Sequence, residues 1–345
     1  MIHSVQPPSK MTPMHNLHAQ EKLLDSALVA DVLAGQRRAL AKTITLIEST
    51  RSDHRQRANA VLEQLMPHAG QSIRVGISGA PGVGKSTFIE ALGMDLIALG
   101  HRVAVLAIDP SSSLTGGSIL GDKTRMEYLA QRTEAFIRPS PARGALGGVA
   151  QQTREAMLVC EAAGFDVIII ETVGVGQSEI AAAGMTDVFV VLQLPNAGDD
   201  LQAIKKGILE LADMVVYNKA DIDARAADLA CGQMRSALHM LRPVSKHWSV
   251  PVLQTSALSR IGIKAVWDTV LAHQAKMREL GEFEAKRQRQ ALDWMWALVE
   301  QGLKTEFQRN AAVAQALDGT LKRVASGSIS PTAAASYLLD CMKTK

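Results

Sequence analysis

Aromatic residues are scarce: Phe, Trp and Tyr together make up 4% of the 345 residues. That scarcity argues against stacking platforms for single-stranded nucleic acid. An excess of one charge is also missing. The formal net charge is only +3, and no lysine or arginine cluster is interleaved with aromatics, so the chain carries no nucleic-acid footprint. Cysteine is sparse as well. Cys160, Cys231 and Cys341 lie far apart and outside any C-x-x-C pattern, which excludes a disulfide framework and reads as small buried thiols in a reducing compartment. No apolar run approaches the ~20 residues of a membrane span. The first twenty residues have neither an apolar signal core nor an arginine-rich transit character. The expectation is a cytoplasmic location (the mitochondrial matrix if the source is eukaryotic), with no membrane and no nucleic-acid partner.

What the chain does have is enough apolar material for a large core, at 47% hydrophobic, and a sharply defined loop. Gly79-Ala80-Pro81-Gly82-Val83-Gly84-Lys85-Ser86-Thr87 fits G-x-x-x-x-G-K-[ST]. It follows a short strand pattern, Ile73 to Ser78, and precedes apolar residues at helical spacing up to Leu99. In that context the glycines let backbone N–H groups turn inward around an anion. The helix start adds partial positive charge and Lys85 a full one. Ser86 then offers its hydroxyl to a magnesium ion shared with the phosphates.

Further apolar runs read as strands covered on both faces, and each ends in polar chemistry. Val103 to Ile108 ends in Asp109, at the carboxyl edge of a parallel sheet, where ligands bind in such folds. The Gly- and Ser-rich segment from Pro110 to Arg125 reads as a loop bringing Asp109 and Asp122 to the metal. Asp122 alone also reads as a helix cap. Asp166 to Ile170 delivers Glu171, with Gly174 three residues on, a spacing that senses a γ-phosphate. Gln177 is a candidate for orienting the attacking water. Arg138 and Arg143, in a second glycine-rich loop, read as phosphate contacts or as solvated arginines.

After Met214 to Tyr217 comes Asn218-Lys219-Ala220-Asp221. N-K-x-D directly behind a strand reads guanine: the Asp221 carboxylate accepts from N1–H and the exocyclic amine, which adenine does not offer. Lys219 lies along the ring, and Asn218 ties this loop to the phosphate loop. Buried polar groups left unpaired by the wrong base supply the selectivity. Ser256 and Ala257, at the end of a last strand, support the base from its other side. The expected fold is therefore α/β, a P-loop GTPase with a mostly parallel central sheet flanked by N- and C-terminal helical extensions. The expected divisions are a loose tail over 1–20, a helical extension over 21–70, the GTPase domain over 71–272 and a helical arm over 273–345. Leu23, Leu24, Leu28, Val32 and Leu33 form the apolar stripe of the first helix. In the arm, Ala291 to Val299 is apolar around most of its circumference, as for self-association or packing on the nucleotide domain.

With these motifs in place the chain resembles the MeaB/ArgK family, which includes the methylmalonic aciduria type A protein. The likeness covers about residue 25 to the C-terminus. It is carried by D-P-S-S with T-G-G-S-I-L-G-D-K-T-R-M, by R-P-S-P, by E-T-V-G-V-G-Q-S-E, and by D-L-Q-x-I-K-K-G ahead of N-K-A-D. The resemblance implies a magnesium-dependent, homodimeric GTPase that serves an adenosylcobalamin-dependent methylmalonyl-CoA mutase or a relative, without holding cobalamin tightly itself. It implies that Lys85 and Ser86 hold phosphate and magnesium, that Asp109, Asp122 and Glu171 surround the metal, and that the loop with Lys205 is an additional switch. Two other readings share the nucleotide loop: a metallochaperone GTPase for nickel enzymes, which needs His or Cys clusters absent here, and an ATP-dependent kinase of an amino-acid transport system, against which N-K-A-D argues.

Overall fold

The computed structural model describes residues 14–49, 51–108, 126–139, 146–172, 177–195, 206–240 and 245–343. By its internal contacts the chain falls into two compact units, Met1–Phe283 and Glu284–Lys345. The first is built on β1 (Ile73–Gly79), β2 (Val103–Ile108), β3 (Ala135–Arg138), β4 (Val167–Thr172), β5 (Val188–Gln193), β6 (Met214–Tyr217) and β7 (Val252–Gln254). These strands form one sheet in the order β3-β2-β4-β1-β5-β6-β7. Every neighbouring pair is parallel.

The apolar runs form strands because both faces of the sheet are covered. Side chains alternate across it. Val75, Ile77, Val105, Ile169 and Val190 point to one face and pack on α4 (Lys85–Ala98) and α10 (Ile263–Glu279), through Phe88, Leu92, Leu96, Val266 and Trp267. Ala104, Leu106, Ile168, Ile170 and Val191 point to the other. That face is covered by α6 (Leu146–Ala162), α7 (Gln177–Ala183), α9 (Ala224–Met240), and an N-terminal layer of α1 (Met14–Leu33), α2 (Arg37–Ile47) and α3 (Ser52–Leu65). Two short helices, α5 (Glu127–Ala130) and α8 (Lys206–Leu209), complete the unit.

Two local readings are corrected. The buried side of α1 is carried by Asp25, Val29 and Val32, while Leu24 and Leu33 face outward. Asp25 is drawn in because Arg57 of α3 pairs with it at 2.7 Å. Arg138 ends β3, and its guanidinium is held by Glu48 beside the end of α2, with Thr45 Oγ1 as a second acceptor. It is neither a solvated arginine nor directed to a phosphate.

At the amino end of β1 a buried carboxylate organises the chain. Glu161, on α6, accepts from Arg74 Nε at 2.8 Å and Nη2 at 3.0 Å, from the Gly70 N–H at 2.7 Å, and from the Ser72 hydroxyl. Its side chain is 1% exposed.

The second unit holds most of α11 (Glu282–Arg309), which begins in the first, followed by α12 (Ala311–Ala325) and α13 (Pro331–Lys343). Asn310 caps α12 by accepting from the Ala312 and Val313 N–H groups. Leu292, Met295, Trp296, Val299 and Leu303 lie at helical spacing along α11 and are all exposed. No described helix is long and apolar enough to cross a membrane.

Candidate functional site

The loop between β1 and α4 lies at the carboxyl edge of the sheet. Gly82 and Gly84 hold φ of +83° and +90°, a region that L side chains enter only with strain. Space forbids a side chain at Gly84 as well: a Cβ there would lie 2.8 Å from Asn218 Nδ2. Gly84 is the residue before α4, and no side chain caps the helix start. Its first amides are therefore available to an anion. Lys85 Nζ donates to the carbonyls of Gly79, at 2.7 Å, and Ala80, at 3.3 Å. Val83 is buried, and Thr87 is exposed on the first turn.

Asn218 joins three loops. Its Nδ2 donates to the Val83 carbonyl at 2.9 Å. Its Oδ1 accepts from the Ala257 N–H at 3.0 Å and from Thr255 Oγ1 at 3.2 Å. The side chain is 1% exposed, so these three bonds are made away from solvent. The expected tie between the N-K-A-D loop and the glycine loop is thus present as a hydrogen bond. The tie to the third loop, and the part of Thr255 in it, were not foreseen, although the T-S-A tripeptide at the end of β7 was their signal.

The backbone reinforces this junction: Ala220 N–H donates to the Thr255 carbonyl at 3.0 Å, and Ser256 and Ile261 exchange a pair of bonds. Ser256 and Ala257 are buried, whereas Asp221 is exposed beside them, free to face a ligand. Lys219 adopts φ +61°, and its Nζ reaches the Gly82 carbonyl at 2.8 Å, lying across the phosphate loop. Tyr217, the last residue of β6, is buried next to this junction, and burial pushes its phenol up to about 12.

Glu171, the last residue but one of β4, lies next to Ile77 of β1 and Ala107 of β2. Its Oε1 accepts from Ser86 Oγ at 3.4 Å, so strand β4 brings a carboxylate to the first turn of α4. A hard divalent cation such as magnesium takes oxygen donors, keeps several waters, and needs only one or two carboxylates from a protein. A hydroxyl and a carboxylate side by side are a donor set of that kind. Among the described residues no three of His, Cys, Asp and Glu gather as a ligand cluster. Asp109, Asp122, Gly174 and Lys205 lie outside the described residues, as does the side chain of Gln177 at the start of α7. The residues that the structure does bring together are the phosphate loop, Ser86, Glu171, Asn218, Lys219, Asp221, Ser256 and Ala257.

The sequence model of the family described as "Methylmalonyl Co-A mutase-associated GTPase MeaB" matches residues 40–312. A Caulobacter vibrioides protein named as a GTPase is 52% identical over 89% of this chain and 94% of its own length. The mouse protein named "Methylmalonic aciduria type A homolog, mitochondrial" is 44% identical, over 95% of this chain and 82% of its own. A crystal structure described as a LAO/AO transport system kinase superposes with a TM-score of 0.74 at 36% identity, covering 93% of this chain and 98% of that one.

Proposed function

The chain belongs to the MeaB family of methylmalonyl-CoA mutase-associated GTPases, and from that premise we propose that it is a nucleotide-gated chaperone of an adenosylcobalamin-dependent acyl-CoA mutase. The observation that carries the nucleotide half is the Asn218 junction, which sets the N-K-A-D loop against the phosphate loop at hydrogen-bonding distance. The client half rests on family membership.

In this reading Lys85 and the amides at the start of α4 take the phosphates. Asp221 accepts from the guanine edge, with Lys219 alongside the ring and Ser256 and Ala257 behind it. Ser86 and Glu171, joined by Asp109 and Asp122, hold the magnesium ion. When bound, that ion supplies charge neutralisation at the β- and γ-phosphate oxygens. Gly174 reaches the γ-phosphate through its N–H, and Gln177 positions water. Asp109 to Asp122, Glu171 to Glu179 and Pro195 to Lys206 then order around GTP and relax after hydrolysis, and the loop with Lys205 passes that change to the client. The exposed apolar stripe of α11 is where a second copy docks.

The test is steady-state GTP hydrolysis by the full chain, with and without the mutase from the same source, and with ATP as control. Stimulation by the mutase, for GTP alone, is expected. GTP turnover indifferent to the mutase would overturn the client assignment, and equal turnover of ATP would overturn the reading of the base.

A further inference from the structure

The first unit has a second concavity, at the sheet edge opposite the nucleotide loops. It is lined by Ala212, Pro251 and Val252, which sit at the amino ends of β6 and β7. The length of β6, four residues or ~13 Å, separates it from Asn218. The cavity measures about 400 Å³, within the ~300–1,000 Å³ range of small-molecule sites.

Its lining has two kinds of surface. Leu209, Leu238 and Trp248 are apolar, while Arg235 and Lys246 bring cationic chemistry, with the His239 ring beside them and Glu210 as the one carboxylate among the described lining residues. Neither Arg235 nor Lys246 has a carboxylate partner among the described residues. Arg235 donates to the Val252 carbonyl, at 3.4 Å. Cations without a carboxylate partner among the described residues, next to an apolar wall, favour an anion with an apolar body.

The wall is preorganised. Trp248 Nε1 donates to the Asp213 carbonyl at 2.8 Å, and the indole meets the His273 ring edge-on with centroids 4.8 Å apart. Asp213 Oδ2 in turn accepts from the Phe189 N–H at 2.9 Å, which fixes this corner to β5. An aromatic wall held this way costs a ligand little ordering on binding.

We propose that this cleft is a second binding site of the protein, and that it takes a small organic anion whose charged group meets Arg235 and Lys246 and whose apolar body lies against Trp248 and Leu209. The probe is 8-anilinonaphthalene-1-sulfonate, titrated into the GDP-loaded full chain and read by energy transfer from tryptophan, with hexanoate and hexanol as competitors. One saturable component should weaken at least tenfold in the double variant R235E/K246E and persist in R235K/K246R. Hexanoate should displace it at concentrations where hexanol does not. Both side chains are exposed, so the variants should keep the parent urea midpoint and GDP affinity, which separates loss of this site from loss of the fold or the nucleotide site. Less than a twofold change in R235E/K246E, or equal displacement by hexanol, would overturn the proposal.

Discussion

Replacing Asn218 by alanine removes three hydrogen bonds at one buried position: to the Val83 carbonyl and from the Ala257 N–H and Thr255 hydroxyl. Each such bond is worth ~1 kcal/mol net, and a backbone group left buried without a partner costs ~1–3 kcal/mol. Water entering the vacated space recovers part of this, so ~3–5 kcal/mol is the expected total. The loops joined by Asn218 are those that would hold phosphate and base, so the loss should divide between folding and nucleotide binding. If ~2 kcal/mol falls on binding, the affinity for GDP drops roughly 30-fold. Fluorescent-GDP titration reads that share and urea denaturation the rest. The aspartate variant sharpens the test. N218D keeps an acceptor for Ala257 and Thr255 but sets a second carboxylate oxygen against the Val83 carbonyl, so it should bind GDP no better than N218A. If N218A bound GDP within threefold of the parent and unfolded at the parent urea midpoint, the junction would not be what assembles the site.

Three further outcomes follow from the same geometry. G84A introduces a Cβ at φ +90° and 2.8 Å from Asn218 Nδ2. It should cost ~1–3 kcal/mol in strain, and combining it with N218A should cost less than the sum of the two, as a double-mutant cycle would show. E161A leaves the Arg74 guanidinium, 11% exposed, without its carboxylate. A urea-midpoint loss equivalent to ~3–5 kcal/mol is expected, with E161Q intermediate because its amide oxygen still accepts. Tyr217 ionises in the folded protein only near 12, against ~10 in an unfolded chain. The folded state holds the proton more tightly, so the contribution of this group is intact below pH 10 and is lost as pH rises through 12. Absorbance at 295 nm should show one of the three tyrosines ionising last, a phase that Y217F removes.

Much of this architecture was legible because covered parallel strands announce themselves as unbroken apolar runs. Val103 to Ile108, Asp166 to Ile170 and Val188 to Gln193 were readable almost to the residue. β3 was not, since four residues ending in Arg138 leave too short a run to stand out beside a glycine-rich loop. On α1 the stripe was misplaced by one position, because an acidic residue, Asp25, takes an inward place that only the distant Arg57 makes tolerable. α10 runs unbroken through His273, which is buried against Trp248 and Asp213, although the character of the sequence changes there. At the site, the glycine loop and N-K-A-D could be read from spacing. The acceptor side of Asn218 and the reach of Lys219 to Gly82 could not, because they join residues distant along the chain, whose approach depends on strand order.

That strand order also has a consequence for synthesis. β1 pairs only with β4 and β5, and the first of these begins about 90 residues after β1 ends. At ~5–20 residues per second the ribosome needs ~4–18 s to deliver that partner. Throughout that interval the strand leading into the phosphate loop has apolar side chains and open edges with nothing to pair with. A nascent chain arrested between β1 and β4 is therefore the species that should most need a holding chaperone, and premature termination in that window should yield aggregates rather than a folded fragment.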